Sequence, residues 1–220
     1  MGTDNLHHKR KHRTINSLKR KQSKRESYDV VLIVCEGKKS EPNYLKGLCD
    51  ELKLNSANIE LLGIGVDPLK IVDSAIQKYN ETKNYDRVYC VFDKDQHQSY
   101  QAALEKINSY QQRKSNGIPI YAINSVPCFE YWLLLHFVDT SKPYVKAGNK
   151  SAGDQLCSEI ETHIQGYEKG QKNIFSLTKS NLQNALNRAK KNNILQENNS
   201  TDNPSTKMNQ LVEYLMNLKK

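Results

Sequence analysis

Hydrophobic and polar positions alternate along this chain in blocks that read as strand, helix, strand. DVVLIVC at 29–35 is a near-continuous β-branched apolar run, the pattern of a strand buried on both faces of a parallel sheet. After the turn EGKK, Ser40 is placed to cap a helix whose apolar Tyr44, Leu45, Leu48 and Leu52 recur at helical spacing. NIELLGI at 58–64 predicts a second strand, and Pro68 opens a helix with Leu69, Val72 and Ile76 on one face. RVYCVF at 87–92 predicts a third strand, closed by Asp93-Lys94-Asp95 and followed by a polar helix to about Lys114. IPIYAIN at 118–124 predicts a fourth, ending near Ser125. CFEYWLLLHF at 128–137 is too apolar for a surface helix and is expected to pack on the sheet. The expected fold is α/β: a Rossmann-like four-stranded parallel sheet flanked by helices, with a helical C-terminal extension.

Beyond Val138 the composition turns polar, and helices are expected at 152–163, 179–191 and 204–218, with Pro204 just inside the last. ENNSTDNPST is a polar low-complexity loop. Three regions follow: an arm at 1–25, an α/β core at 26–140 and the helical extension at 141–220.

Charge separates the arm from the rest. Of the 33 Lys and Arg that give the chain its net +9, nine lie within residues 1–25 beside a single acid, Asp4; the remainder carries 24 bases against 23 acids. A like-charged block with few apolar residues cannot offset its ordering entropy by burial, so a mobile, disordered arm is expected. Arg10, Lys11, Arg13, Lys19, Arg20 and Lys21 suit a salt-sensitive tether for nucleic-acid phosphates; a solvated extension is the alternative. No apolar run is long enough to span a membrane, and the polar N-terminus has no signal-peptide core, so a cytoplasmic protein without a membrane partner is expected. The five cysteines form no CxxC pair, which disfavours a disulfide framework and a cysteine zinc site.

In a doubly wound sheet, active residues gather outside the carboxyl ends of the strands, where strand order reverses. Glu36 follows the first strand, and Asp93 and Asp95 follow the third. If those strands are neighbours, three carboxylates converge on one crevice, and their repulsion calls for a cation. Mg²⁺ takes oxygen ligands and leaves room for substrate phosphate, and such a site suits phosphodiester hydrolysis. Gly37 is expected to let the backbone turn sharply after Glu36. Taken singly, each acid reads first as a turn or helix-capping residue, and only their combination points to a metal.

Four ordered blocks, VCEGKKSEPNY at 34–44, VFDKDQH at 91–97, SVPCFEYWLLLHF at 125–137 and NPST at 203–206, resemble the RloB family from about residue 28 to the C-terminus. RloB proteins are similar to TOPRIM domains, the metal-binding α/β module of topoisomerases, bacterial primases and OLD-type nucleases. The resemblance implies that Glu36 matches the TOPRIM glutamate, a general acid/base or metal ligand, and that Asp93 and Asp95 match its metal-binding DxD. Glu41 matches the second acid of an EGxxxE pattern, as a second-metal ligand; stabilising the helix N-terminus is its other role. Glu130, among apolar neighbours, needs a partner: it reaches the crevice as a catalytic acid, or it pairs with a donor such as a neighbouring Trp indole. His97 either meets phosphate or is an exposed loop residue, and His136 reads as a satisfied core residue. OLD-type enzymes also use a lysine. Lys38, Lys39 and Lys94 lie nearest, and Lys38, Lys94 and His97 join the arm as candidate nucleic-acid contacts.

The resemblance further implies anti-phage defence linked to restriction loci or to an ATPase partner. No GxxxxGK[ST] stretch occurs, so nucleotide hydrolysis falls to another subunit. The expectation is a Mg²⁺-dependent endonuclease, with Mn²⁺ as a substitute, cutting RNA such as tRNA, or DNA, in abortive infection. A non-catalytic nucleic-acid-binding or partner-docking subunit is the alternative, and self-association into a homo-oligomer stays open.

Overall fold

A computed structural model describes residues 28–56, 58–94, 98–112, 117 and 119–219. The arm, Asp95 and His97 lie outside the described residues. Strands β1 (Val31–Cys35), β2 (Ile59–Gly63), β3 (Arg87–Asp93) and β4 (Ile120–Val126) are mutually parallel, in the order β2-β1-β3-β4. Helices α1 (Ser40–Glu51), α2 (Pro68–Thr82) and α3 (Tyr100–Gln111) connect them. Asp67 caps α2, accepting from Lys70 N at 3.3 Å, with Pro68 in the first turn.

The strands are apolar on both faces because helices cover both. Val31, Ile33, Cys35, Tyr89, Val91 and Ile123 point to one layer, and Leu32, Val34, Val88, Cys90, Phe92 and Ile120 point to the other, which α2 and α3 cover. The first layer holds α1 and the C-terminal helices: α4 (Glu130–Leu134), α5 (Ala152–Glu161), α6 (Ile174–Thr178), α7 (Leu182–Asn198) and α8 (Met208–Asn217). Residues 141–219 therefore share one apolar core with the sheet. A capping box between Ser151 and Asp154 starts α5.

Several features depart from the pattern-based expectation. Ser40 is the first residue of α1 rather than its cap, which is Lys39 without a side-chain bond, and the helix expected at 179–191 runs from Leu182 to Asn198. The sheet has a fifth strand, β5 (Ser205–Thr206), antiparallel to β4 through Ser125↔Thr206 and Val126↔Ser205. Ser205 and Thr206 thus belong to the sheet edge, and the last helix begins at Met208, whose N–H donates to Thr206 Oγ1 at 3.2 Å. The block at 128–137 is only a five-residue helix. It tightens after Leu134 into i→i+3 bonds, from His136 N to Leu133 O at 3.2 Å and from Phe137 N to Leu134 O at 2.9 Å. His136 is a satisfied core residue: Tyr44 Oη donates to Nε2 at 3.1 Å, and Nδ1 donates to Trp132 O at 3.0 Å.

Candidate metal centre

Strand order reverses between β1 and β3, so their carboxyl ends open one crevice. Pairing of Cys35 with Val91 sets Glu36 beside Asp93. Glu36 N donates to Val91 O at 2.8 Å, and Asp93 N donates to Glu36 Oε2 at 3.0 Å, which fixes one carboxylate over the next strand end. Glu41 in the first turn of α1 bends back to the same place, where Gly37 N donates to its Oε1 at 3.3 Å. Its side chain belongs to the crevice as well as to the helix end.

β4 delivers the rest. Past its end, Cys128 and Glu130 come level with Asp93, and one ligand atom of each lies within 4.8 Å of the other two. Asp93 exposes part of its surface, but its carboxyl is enclosed and receives a backbone N–H from Phe129. Glu130 is buried, and its partner is Lys169 from the loop after α5, with Nζ 3.4 Å from Oε1. Of the two roles open to Glu130, reaching the crevice and pairing with a donor, it thus takes both positions, with an ammonium rather than an indole as the donor.

The electrostatics are those of crowded anions. Burial, then repulsion from Glu130 and Glu36, pushes Glu41 up to about 7 against the hydrogen bonds from backbone N–H groups. Burial, then Glu41, Glu130 and Glu36, holds Asp93 well above the usual carboxylate range. Burial and the fields of Glu130 and Asp93 raise the Cys128 thiol. Burial works to lower the Lys169 ammonium, but Glu130 outweighs it and the net shift is upward.

Of the lysines expected nearest the crevice, Lys94 is engaged elsewhere. Lys94 pairs with Asp202 at 2.6 Å, and the stems of Lys38 and Lys39 cross Gly65 and Gly170. The chain bends sharply through residues 36–39, as expected, although Gly37 is not one of the glycines with positive φ among the described residues. It supplies room, because a Cβ there would collide with Glu41 Oε2.

Cys128, Lys169 and Tyr167, a buried tyrosine in the field of Glu130 and Glu41, are the residues that pattern reading passed over. Cys128 obeys the same rule as Glu36 and Asp93, since it follows a parallel strand, and that rule applied to β4 would have found it. Lys169 and Tyr167 come from a polar turn with no pattern of its own.

A protein-family model described as RloB, RloB-like protein, matches residues 31–215. No curated protein and no solved structure matches the chain.

Proposed function

This chain belongs to the RloB-like family, and from that premise we propose that it is a Mg²⁺-dependent endonuclease of the TOPRIM type. In this reading it hydrolyses phosphodiesters of RNA, such as tRNA, or of DNA in anti-phage defence, under the control of an ATPase partner. The observation that carries the proposal is the convergence of Glu36, Glu41, Asp93 and Glu130 on one crevice. Such crowding is costly without a counter-cation, and oxygen donors in this number fit Mg²⁺ or Mn²⁺.

Glu36, Asp93 and Glu130 would hold the ion, with Glu41 behind them. Bound there, it would supply an acidified water and neutralise charge on the phosphoryl oxygens. The chain's own groups prepare the place. The Asp93 N–H orients Glu36, the Phe129 N–H orients Asp93, and Lys169, half exposed beside Glu130, offers a cation to an incoming phosphate. The test is cleavage of labelled tRNA, single-stranded DNA and supercoiled DNA in Mg²⁺, in Mn²⁺ and in EDTA. Cutting that EDTA abolishes is expected; cutting that EDTA leaves untouched overturns the proposal.

The near-balanced charge outside the arm favours a second reading, a binding or docking subunit that does not cut. Under the nuclease reading the basic arm supplies the missing phosphate affinity. Deleting residues 1–25 is then expected to weaken nucleic-acid binding and flatten its salt dependence, with the metal requirement unchanged. Binding isotherms at three salt concentrations check this, and identical slopes refute it.

Gly37→Ala tests the crevice without replacing a carboxylate. The added methyl displaces Glu41, so the Mg²⁺ concentration that half-saturates the thermal shift is expected to rise about tenfold, in the range that loss of a supporting group causes at metal sites. An unchanged midpoint would show that Glu41 does not support the site.

A further inference from the structure

The crevice contains one donor that a magnesium site does not use. Cys128 Sγ sits with Asp93 and Glu130 in a triad whose ligand atoms lie within 4.8 Å of one another. Thiolate sulfur discriminates against Mg²⁺ and in favour of Zn²⁺. Three protein ligands with one position left open is also the coordination of reactive zinc sites, as distinct from the closed four-ligand structural ones. Tetrahedral bonds of zinc length set ligand atoms about 3.5 Å apart, so the triad needs to contract by only about 1 Å.

Two further observations point to a ligand there. The Tyr167 hydroxyl has no hydrogen-bond partner among the described residues although the residue is only 8% exposed, and besides its burial the ionisable groups that act on it are Glu130, Cys157, Cys128 and Glu41. A buried hydroxyl so placed is a ready partner for a water in the open position. Lys169 completes the charge balance. Its Nζ lies 3.4 Å from Glu130 Oε1 and would stand 3.2 Å from a Cβ on Gly153, whose next neighbour is Cys128 Sγ at 3.6 Å. Two carboxylates and a thiolate carry three negative charges, which Zn²⁺ and one ammonium neutralise.

We infer that Asp93, Cys128 and Glu130 form a subsite for a thiophilic divalent cation, Zn²⁺, with Tyr167 hydrogen-bonded to the water in its fourth position. On binding, a Cys128 Sγ–Zn²⁺ bond forms and the thiol proton leaves to the buffer. The inference deepens the proposed function, since it names a second cation class for the same crevice, but its test does not require cleavage.

Full-length protein is titrated with Co²⁺, the spectroscopic stand-in for Zn²⁺. A near-ultraviolet thiolate-to-cobalt band is expected, bleached by one equivalent of Zn²⁺ and not by millimolar Mg²⁺. Cys128→Ser is expected to lose the band and Cys157→Ser to keep it; His7, His8 and His12 of the arm, which also bind such ions, give no thiolate band. Should Cys128→Ser not fold, zinc X-ray absorption of the wild type decides, with one sulfur neighbour beside oxygens expected. No band, a band that survives Cys128→Ser, bleaching by Mg²⁺, or a shell without sulfur overturns the inference. Mg²⁺-dependent cutting without the band would leave the nuclease reading intact and this one lost; the band together with cutting that EDTA leaves untouched would do the reverse.

Discussion

Asp93→Asn is expected to lower cleavage by at least about 10²-fold while making the cation-free protein more stable. The activity loss follows from position. Asp93 lies at the switch point beside Glu36, and its carboxylate shares the triad with Cys128 and Glu130; even groups that only support a metal site cost 10–100-fold when removed. The stability gain follows from charge. Burial, then Glu41, Glu130 and Glu36, holds the Asp93 carboxyl well above its ordinary range, so ionising it works against folding. Asparagine keeps an acceptor for the Phe129 N–H and removes the charge, whereas alanine would leave a gap as well. At pH 8 without divalent cations the gain is expected to be about 1 kcal/mol, or a Tm about 2–4 °C higher for a chain of this size. Thermal melts in EDTA and initial cleavage rates in Mg²⁺ check both halves. A variant that cuts normally, or that melts below wild type, contradicts the assignment of Asp93 to an anionic cation site.

The second large effect is a loss of stability with rising pH in the cation-free protein, carried by Glu41. Its folded value of about 7 lies above the ordinary carboxylate value of 4.5. Its contribution is therefore complete below about pH 4.5 and is lost as pH rises through 7. Asp93, also raised, acts in the same direction. His136 acts oppositely, because burial lowers it from 6.5 to about 4 against hydrogen bonds to Trp132 and Leu133. It costs stability as pH falls through 6.5, so its influence ends there. The window in which the carboxylates act alone thus begins at about pH 6.5. Between pH 6.5 and 8 the cation-free Tm is expected to fall by several degrees, and Glu41→Gln is expected to remove much of that fall. Saturating Mg²⁺ should flatten it in the wild type. A Tm that climbs over this window in EDTA would contradict the electrostatic description.

The readable parts of the fold and site are those written in local pattern. Four apolar runs mark the parallel strands, and the rule that chemistry sits past their carboxyl ends brings out Glu36 and Asp93, because β1 and β3 are neighbours. Glu130 is legible as a buried acid that needs company, without its partner being so. What resists reading is made by tertiary contact. Lys169 and Tyr167 reach the crevice from a polar turn, α6 is a five-residue helix without periodicity, and β5 is two residues long and exists because β4 offers an edge. Gly37 shows the same limit in miniature. Its identity signals the bend that the chain makes there, but not the space it leaves for the Glu41 carboxylate.

The most direct test of the cation site is calorimetric titration of the full-length protein with Mn²⁺ at pH 8, beside Asp93→Asn. Saturable binding that the variant weakens at least about tenfold is the predicted result. Absence of binding to the wild type, or equal binding to both proteins, would contradict the claim that these carboxylates converge in order to hold a metal.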